Sequence, residues 1–399
     1  MTVEPGSLPP PTITLTPAEW ARRNLFSSVI SSAATGLVIG LLAWAVITVG
    51  GWAVREARWD VVLNNQRLFL IGQYPGNEAW RLWLNLAVLS ALAGLSVPVY
   101  GGTIRTLTVS LSALQLILAV LLALSPLRGL IALGLLANAA GIWGAYALGG
   151  LRPMPRRWLT IAWLLTIPLT FVLVTGIGVG QLPDVRSNAW GGLLLTMLLA
   201  VVGIVLSFPL GVLLALGRRS SLPAVRLLST VYIELIRGVP LVTILFMADI
   251  MLPLLLPGEV RIDRVLRAMG GITLFSAAYV AENVRGGLQA IPLGQYEAAQ
   301  AIGLNPVQTN IFVVLPQALR SVIPANVGLF ISLLKDTTLV TIVGLLELLG
   351  IGRAILAQPQ SLGAHLEVYV FIAALFFVLC YAMSQASYRL ERALGVGTR

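Results

Sequence analysis

The chain has 399 residues, of which 57% are hydrophobic and 11% are charged, and its formal net charge is +10. A soluble domain carries about 25% charged residues, so this composition excludes a soluble globular protein and indicates a membrane protein. The arginines lie mainly at the ends of apolar runs, without a dense basic face interleaved with aromatic residues, which argues against nucleic-acid binding.

The scarcity of cysteine, histidine and lysine excludes several kinds of site. Cys380 is the single cysteine and His365 the single histidine, so an intrachain disulfide is impossible and a Cys/His metal site is not expected. The one lysine, Lys335, is followed by Asp336, so the chain has no G-x-x-x-x-G-K-[ST] phosphate-binding loop. We expect no cofactor, and any ATP that drives this protein must be bound by another polypeptide.

Apolar runs long enough to cross a membrane recur along the chain. A membrane-spanning helix needs about 20 mostly apolar residues, and by that measure we predict an all-α membrane protein with about ten transmembrane helices. The predicted spans are residues 33–53, 82–101, 107–125, 128–149, 158–179, 190–216, 228–252, 268–288, 321–345 and 366–387. The break GGTIRTLT after the second span fits a re-entrant turn as well as a loop, so the count there stays open.

Changes in composition divide the chain into three parts. Residues 1–32 are polar and proline-rich, which predicts a flexible cytoplasmic N-terminus. The polar break GQLPDVRSNAWGG near residue 185 separates upstream spans with few ionisable residues from downstream spans with many. We therefore predict an N-terminal transmembrane extension over residues 33–184 and a functional transmembrane domain over residues 189–390.

Arginines beside short loops predict the orientation, because such arginines favour the cytoplasmic side of a membrane. Arg22 and Arg23 precede the first span, RPMPRR follows the fourth, GRRSSLPAVR follows the sixth, and RLERALGVGTR ends the chain. With ten spans, all of these runs and both termini lie in the cytoplasm.

A polar stretch rich in small residues, GQYEAAQAIGLNPVQTNIFVVLPQALR, separates two predicted spans. Residues 293–302 favour a short helix that contains Glu297 and several alanines, and the alanines leave backbone that a partner can approach closely. Gly303 suits a left-handed C-terminal cap, and Asn305 with Pro306 suits the start of a second helix. The sequence therefore predicts a helix, a sharp corner and a second helix.

The second helix of this stretch is predicted to have an apolar stripe. Val307, Ile311, Val314 and Ala318 recur at helical spacing, and Pro316 is expected to bend the chain back toward the bilayer. These patterns alone leave two interpretations open, a simple connection between spans and a surface that binds a soluble partner.

The stretch resembles the EAA loop of the membrane-spanning subunits of ABC importers. The resemblance rests on Glu297, Ala298 and Ala299, on Gly303, and on Leu315-Pro316 in register behind them. The flanking segments YIELIRGVPL, AAYVAENVRGGLQAIPLGQYEAA and LLKDTTLVTIVG are similar to permeases of polar amino-acid importers. This resemblance covers residues 189–390 and implies the transmembrane core of a type I ABC importer.

A narrower resemblance concerns the first half of the chain. The multi-span extension and the segment RLFLIGQYP are similar to the larger of two unlike permeases in general L-amino-acid importers. Val313 stands where the EAA motif usually has isoleucine, which keeps the apolar stripe, and Val239 stands where threonine is frequent.

The resemblance implies a transport subunit without a catalytic site of its own. In that family the EAA loop docks into a groove on a cytoplasmic ATPase, and closure of two ATPase subunits drives two permeases through alternating access. The partners implied are a second homologous permease in a heterodimer, two ATPase subunits, an extracytoplasmic amino-acid-binding protein, the amino acid and the lipid of a bacterial inner membrane. The residues implied in ATPase coupling are Glu297, Ala298, Ala299, Gly303, Asn305 and Pro306.

Ionisable residues within the predicted spans are candidates for the translocation path, because each costs roughly 3 kcal/mol in a bilayer and usually faces a bundle interior or water. The candidates for path or gate are Arg237, Glu282, Arg285, Lys335 and Asp336. The spacing of three residues lets Glu234 pair with Arg237 and Glu282 with Arg285. Lys335 and Asp336 are adjacent and are expected to pair with other groups. A purely structural role, as ion pairs that fasten helices, fits these residues as well.

A second function of a different class is an ion-gradient-driven secondary transporter, in which Asp249, Glu282 and Glu347 would be coupling sites. Such carriers commonly have paired repeats, and the two halves of this chain show none. An intramembrane hydrolase is the third possibility, but the sequence has neither H-E-x-x-H nor G-x-S-x-G.

Overall fold

The computed structural model of the chain describes residues 16–123, 129–180, 182–257 and 260–395. Within these ranges the chain is helical, and its β contacts are isolated bridges rather than strands. The first 15 residues of the predicted flexible N-terminus, and the predicted span ends at residues 124, 125 and 128, lie outside the described residues.

The helices of the first half are α1 Pro17–Asn24, α2 Val29–Arg55, α3 Trp59–Asn64, α4 Gln66–Ile71, α5 Ala79–Tyr100, α6 Gly102–Ala123, α7 Gly129–Leu151 and α8 Arg156–Thr175. Those of the second half are α9 Gly192–Arg218, α10 Pro223–Arg237, α11 Leu241–Phe246, α12 Leu252–Leu255, α13 Arg264–Gln289, α14 Leu293–Ala301, α15 Pro306–Gln308, α16 Leu315–Asp336, α17 Leu348–Leu356 and α18 His365–Leu394. The prediction of an all-α membrane protein is confirmed.

The chain forms two compact units, and the boundary between them follows Trp59. In the first unit, α1 begins with a capping box between Thr16 and Glu19, and α2 is an apolar helix of 27 residues with no buried residue. The Trp59 indole donates a hydrogen bond to the Ala53 carbonyl at 2.7 Å and so fixes the end of α2.

In the second unit, α5 to α8 form an up-and-down bundle. An added Cβ on Gly94 of α5 would lie 2.2 Å from the Ile142 carbonyl oxygen of α7, so only glycine permits this close approach. The Tyr100 hydroxyl at the end of α5 lies 3.2 Å from the Arg156 carbonyl at the start of α8, which makes these helices antiparallel. Small residues and interhelical hydrogen bonds are what hold helices together in a bilayer.

Helices α9, α10, α13 and α16 form the centre of the unit, and α13 contributes the most buried residues. Glycines again set the distances between neighbouring helices. An added Cβ on Gly211 of α9 would lie 2.5 Å from Val280, and one on Gly287 of α13 would lie 2.4 Å from Val322. The core of this unit is therefore a tight helical packing that leaves no room for larger side chains at these positions.

Seven described helices are long and apolar enough to cross a membrane, or eight if one bent pair forms a single span, fewer than the ten predicted. The predicted span 268–288 is α13, which carries charges among its apolar residues. It lies against α9, α10 and α16, so much of its surface need not be compatible with lipid. The predicted span 107–125 falls on α6, and its last two residues lie outside the described residues.

The prediction of one continuous span over residues 228–252 is wrong. Helix α10 and the helix over Leu241–Leu255 meet at an angle of 107°. Pro240 has no backbone N–H and starts the second helix after Gly238, so the hydrogen-bond ladder is interrupted there.

The basic runs of the second unit lie at one end of its bundle. Arg156 lies beside Tyr100 at the end of α5, and the Arg389 guanidinium near the end of α18 donates to the Thr106 hydroxyl near the start of α6. Arg219, after α9, donates to the last turn of α13 at 3.3 Å. The loop between α13 and α16 starts at this same end.

Candidate functional site

The predicted first helix and corner of the polar loop are confirmed. Helix α14 covers Leu293–Ala301, and Gly303 has a φ of +86°, in the left-handed region that favours glycine. The Gly303 N–H donates to the Gln300 carbonyl at 2.9 Å, and the Leu304 N–H donates to the Ala299 carbonyl at 3.1 Å. These bonds satisfy carbonyls at the end of α14 and turn the chain sharply.

The start of the second helix is a capping box. The Gln308 N–H donates to the Asn305 side-chain oxygen at 2.9 Å, and the Asn305 N–H donates to the Gln308 side-chain oxygen at 3.0 Å. Pro306 occupies the first turn, where its missing donor has no cost. The prediction of Asn305 and Pro306 as a helix start is therefore confirmed.

The helix that follows is continuous with a membrane span. A π-helical segment, Thr309–Val314, joins α15 to α16, and the whole stretch Pro306–Val343 is one apolar helical element. This wider π-helical turn precedes Pro316, which has no N–H to donate to the preceding turn. The π-helical turn adapts the backbone hydrogen bonds of the helix to that missing donor. The loop is thus joined to the span without a break in the helix.

The predicted apolar stripe is only half buried. Val314 and Ala318 are fully buried, as predicted, but Val307 and Ile311 are exposed. Thr309, which lies between Val307 and Ile311 in the sequence, is buried instead, and the π-helical turns over Thr309–Val314 depart from the regular helical spacing on which the stripe was predicted.

An exposed apolar surface covers the tip of the loop. Leu293 and Ile302 are each 76% exposed and Phe312 is 68% exposed. Val307, which lies between Ile302 and Phe312 in the sequence, is exposed as well. Glu297 and Ala298 are exposed, whereas Ala299 is buried. We call residues 293–312 the elbow. It presents a carboxylate among apolar side chains at the basic end of the bundle.

The elbow is fixed to neighbouring helices by contacts that the sequence analysis missed. Arg219 donates to the Tyr296 hydroxyl at 3.1 Å, and its guanidinium lies 5.7 Å from the centre of the Tyr296 ring. The Gln317 amide donates to the Gln295 side-chain oxygen at 3.0 Å. The run GRRSSLPAVR marked Arg219 only as an indicator of orientation, since nothing local points from it to a residue 77 positions away.

A cluster of charges surrounds Glu282. Its carboxylate accepts a hydrogen bond from Arg285 Nε at 2.9 Å and lies 3.5 Å from Arg237 and 3.6 Å from Arg218. Arg218 also pairs with Glu234 at 2.8 Å. The predicted pair of Glu282 and Arg285 is confirmed, but Glu234 pairs with Arg218 rather than with Arg237. Three arginines share two glutamates, so the cluster keeps one positive charge in excess.

Lys335 and Asp336 lie away from this cluster. They end α16, roughly 30 Å along the helix from its start beside the elbow, at 1.5 Å per residue. Lys335 is exposed and Asp336 is half-buried, and neither forms an ion pair with the described part of the chain. The prediction that they pair with other groups is therefore not met by any ion pair among the described residues.

The carboxylates of the secondary-transporter hypothesis have structural partners. Asp249 pairs with Arg264 at 3.1 Å and with Arg267 at 3.3 Å. Glu347 is fully buried, and its oxygens accept hydrogen bonds from the Leu349 and Gly350 N–H groups at 2.9 and 2.8 Å at the start of α17. Burial raises the pKa of Glu347 above its ordinary value, and these hydrogen bonds oppose the rise. Over the described residues, no group of His, Cys, Asp and Glu could hold a metal ion.

Comparisons with known proteins concern the family of the whole chain. Residues 207–395 match the family described as binding-protein-dependent transport system inner membrane component. An inner membrane amino-acid ABC transporter permease protein of Escherichia coli (YhdY) is 37% identical over 394 residues, which is 95% of this chain and 93% of that protein. The glutamate/glutamine/aspartate/asparagine transport system permease protein of Rhodobacter capsulatus (BztC) is 37% identical over 94% of this chain and 93% of its own length.

A solved structure shows a partial likeness. The crystal structure of an amino acid ABC transporter with histidines matches 51% of this chain and 92% of its own, with 30% identity and a TM-score of 0.46. The family assignment rests instead on the relatives that extend over nearly the whole chain. The chain belongs to the amino-acid ABC transporter permeases.

Proposed function

We propose that this permease imports polar L-amino acids by ATP-driven alternating access and that the elbow couples it to a separate ATPase. The observation that carries the proposal is the exposed apolar tip of the elbow, held rigidly by Gly303 and the Asn305 capping box. Apolar side chains exposed at the cytoplasmic end of a membrane protein mark a surface that another protein covers. Glu297, Ala298, Gly303, Asn305 and Pro306 shape that surface, and Ala299 supports it from beneath.

The route of force follows from the helices that the elbow joins. Helix α14 is tied to Arg219 at the end of α9, and the other side of the corner continues without a break into the span Pro306–Val343. A displacement of the elbow is therefore passed to core helices rather than absorbed in a loose connection. Rigid movement of helices against each other is the usual form of alternating access.

The charges suit a substrate with a carboxylate and an ammonium group. The cluster around Glu282 keeps an excess positive charge, and Arg237, Glu282 and Arg285 are the proposed gate at the cytoplasmic end. Lys335 and Asp336 supply both signs of charge near the other end of the path. The relative from Rhodobacter capsulatus is named for acidic amino acids and their amides, which supports a polar amino acid as substrate.

The partners follow from the family. We propose a heterodimer with a second permease, of which this chain is the larger member, together with two ATPase subunits and an extracytoplasmic amino-acid-binding protein. The basic runs at one end of the bundle support a cytoplasmic position for that end and for the C-terminus, and Arg22 and Arg23 before α2 support one for the N-terminus, in a bacterial inner membrane. For the domain organisation we propose a cytoplasmic segment over residues 1–32, an extension over 33–184 and a type I importer core over 189–390.

The test is association with the ATPase. In the complex purified from membranes, Glu297→Lys is expected to weaken retention of the ATPase about tenfold or more, because it reverses a charge in the middle of the contact. Asp184→Lys makes the same charge change in the exposed loop after α8, at the opposite end of the bundle, and is expected to retain the ATPase. Equal retention in both variants would disprove coupling through the elbow.

Transport separates the two classes of function. The reconstituted complex is expected to take up radiolabelled polar amino acids only with ATP and binding protein present. Uptake by this chain alone, driven by an ion gradient without ATP, would replace the proposal with the secondary-transporter hypothesis. Asp249 and Glu347 argue against that outcome, since both are engaged in ion pairs or helix capping.

A further inference from the structure

A deep apolar groove runs between the extension and the core. It has a volume of about 1120 Å³ and lies between α5, α8, α9 and α13. Leu164 and Phe171 of α8 form one wall, and Val201, Val205 and Leu274 form the other. Each of these five side chains is exposed within the groove. An apolar crevice at membrane depth is filled by hydrocarbon rather than by water, because water gains no hydrogen bonds there.

Exposed arginines stand at one end of the groove. On α8 the groove is lined by Thr160, Trp163, Leu164 and Ile167, which recur at helical spacing. One turn earlier on the same face are Arg156 and Arg157, both exposed and neither in an ion pair within the described chain. This face of α8 therefore changes from apolar to basic at the end of the groove.

We propose that the groove binds an anionic phospholipid of the surrounding bilayer. The acyl chains occupy the space between α8 and the core helices α9 and α13, and the phosphate lies against Arg156 and Arg157. Basic residues at the cytoplasmic ends of membrane helices attract anionic headgroups in this way. The lipid then forms part of the joint between the extension and the core. This inference does not depend on the direction or energy source of transport.

The groove itself is tested with Gly270→Leu. Gly270 lines the groove, and an added Cβ meets no atom within 4 Å, so leucine fills the space without a backbone clash. Gly141→Leu on α7 is the matched control, because its Cβ position is equally free and it does not line the groove. The complete complex is exposed to dioleoyl-phosphatidylglycerol, and bound lipid is counted by native mass spectrometry. The amount of retained lipid is expected to fall about tenfold in Gly270→Leu and to stay unchanged in Gly141→Leu.

The headgroup site is tested by competition between phosphatidylglycerol and phosphatidylcholine. In the double variant Arg156→Gln with Arg157→Gln, the preference for phosphatidylglycerol is expected to fall by about thirtyfold, at roughly fivefold for each charge near the membrane surface. The pair Arg22→Gln with Arg23→Gln removes the same charge from α1 and is expected to leave the preference unchanged.

Three results would overturn all or part of the proposal. The first is that Gly270→Leu retains as much phosphatidylglycerol as the unsubstituted complex, at an unchanged melting temperature. The second is that Gly270→Leu releases a protein subunit from the complex, which would show that a protein rather than a lipid covers the groove. If the arginine pair alone has no effect, a zwitterionic lipid fills the groove and the anionic part of the proposal is wrong.

Discussion

Gly303 is the residue at which the elbow changes direction. Its φ of +86° lies where a side chain is strained, yet an added Cβ would meet no atom within 4 Å. The constraint on this position is therefore backbone conformation and not space. This is why the sequence was enough to predict the corner, since a glycine after a short helix and an Asn-Pro pair are local signals.

Gly303→Ala is expected to loosen the corner by about 1–2 kcal/mol, the cost of a left-handed residue that carries a Cβ. The measurement is amide hydrogen exchange of α14 in the purified complex, where protection should fall, together with weaker retention of the ATPase. Gly294→Ala in the same helix is the control, because Gly294 has helical geometry and free space and alanine favours a helix. Equal effects of the two substitutions would show that the conformation of Gly303 does not matter.

Glu347 gives the structure a dependence on pH. Its carboxyl is buried and its pKa is raised, so the folded state binds the proton more tightly than the unfolded state does. The stability from this group is fully present below the unfolded pKa and is lost as pH rises through the folded pKa.

We expect the melting temperature of the detergent-solubilised complex to fall as pH rises above the ordinary range of a glutamate, and Glu347→Gln to flatten that fall. Glutamine does not titrate, and it keeps one carbonyl oxygen as an acceptor for one of the two N–H groups, of Leu349 and Gly350, that the carboxylate binds through separate oxygens. Glu297→Gln, at an exposed position, is the control and should keep the slope of the unsubstituted protein. An identical slope in all three proteins would contradict the role given to Glu347.

At the scale of elements, what the sequence predicted depends on the distance between partners along the chain. Helix α14, its cap and the pair of Glu282 with Arg285 involve residues within one turn, and all were predicted. Arg218 and Arg219 act on residues far away in sequence, and the bend between α10 and α11 depends on how two helix ends pack. Spacing on one helix predicted that Glu234 pairs with Arg237. It could not predict the pair of Glu234 with Arg218, because Arg218 lies on another helix, α9.

The tie between α9 and α14 predicts a separation of binding from transport. Arg219→Gln removes the cation over the Tyr296 ring and the hydrogen bond that this cation donates to the Tyr296 hydroxyl. The exposed tip of the elbow stays intact. The ATPase is therefore expected to remain bound, but α14 should lose protection from hydrogen exchange and ATP-driven uptake should fall several-fold. Arg320→Gln, an exposed arginine on α16, is the control and should keep both. Loss of the ATPase together with uptake would mean that the tie supports docking instead.

At the scale of the whole molecule, the charge distribution and the packing agree. Helices α5, α8 and α9 place the arginine runs at the end that carries the elbow, although those runs are far apart in sequence. The number of spans was harder to predict than the class, because much of α13 is buried against other helices and so does not need the apolar composition of a helix that faces lipid all round. Composition identifies the chain as a membrane protein. Burial inside the bundle decides how far the composition of each helix departs from that of a lipid-facing helix.

The orientation can be tested directly because Cys380 is the only cysteine. In a Cys380→Ser background, single cysteines at Gln300 in the elbow, at Asp184 in the opposite loop and at Ser27 before α2 report which side each position faces. All three positions are exposed, so a membrane-impermeant maleimide can reach them. With arginine-rich ends in the cytoplasm, Asp184→Cys is labelled in intact spheroplasts, whereas Gln300→Cys and Ser27→Cys are labelled only in inverted vesicles. Labelling of Gln300→Cys from outside would place the elbow beyond the reach of a cytoplasmic ATPase. Labelling of Ser27→Cys from outside would instead leave the elbow in place and change the number of crossings before it.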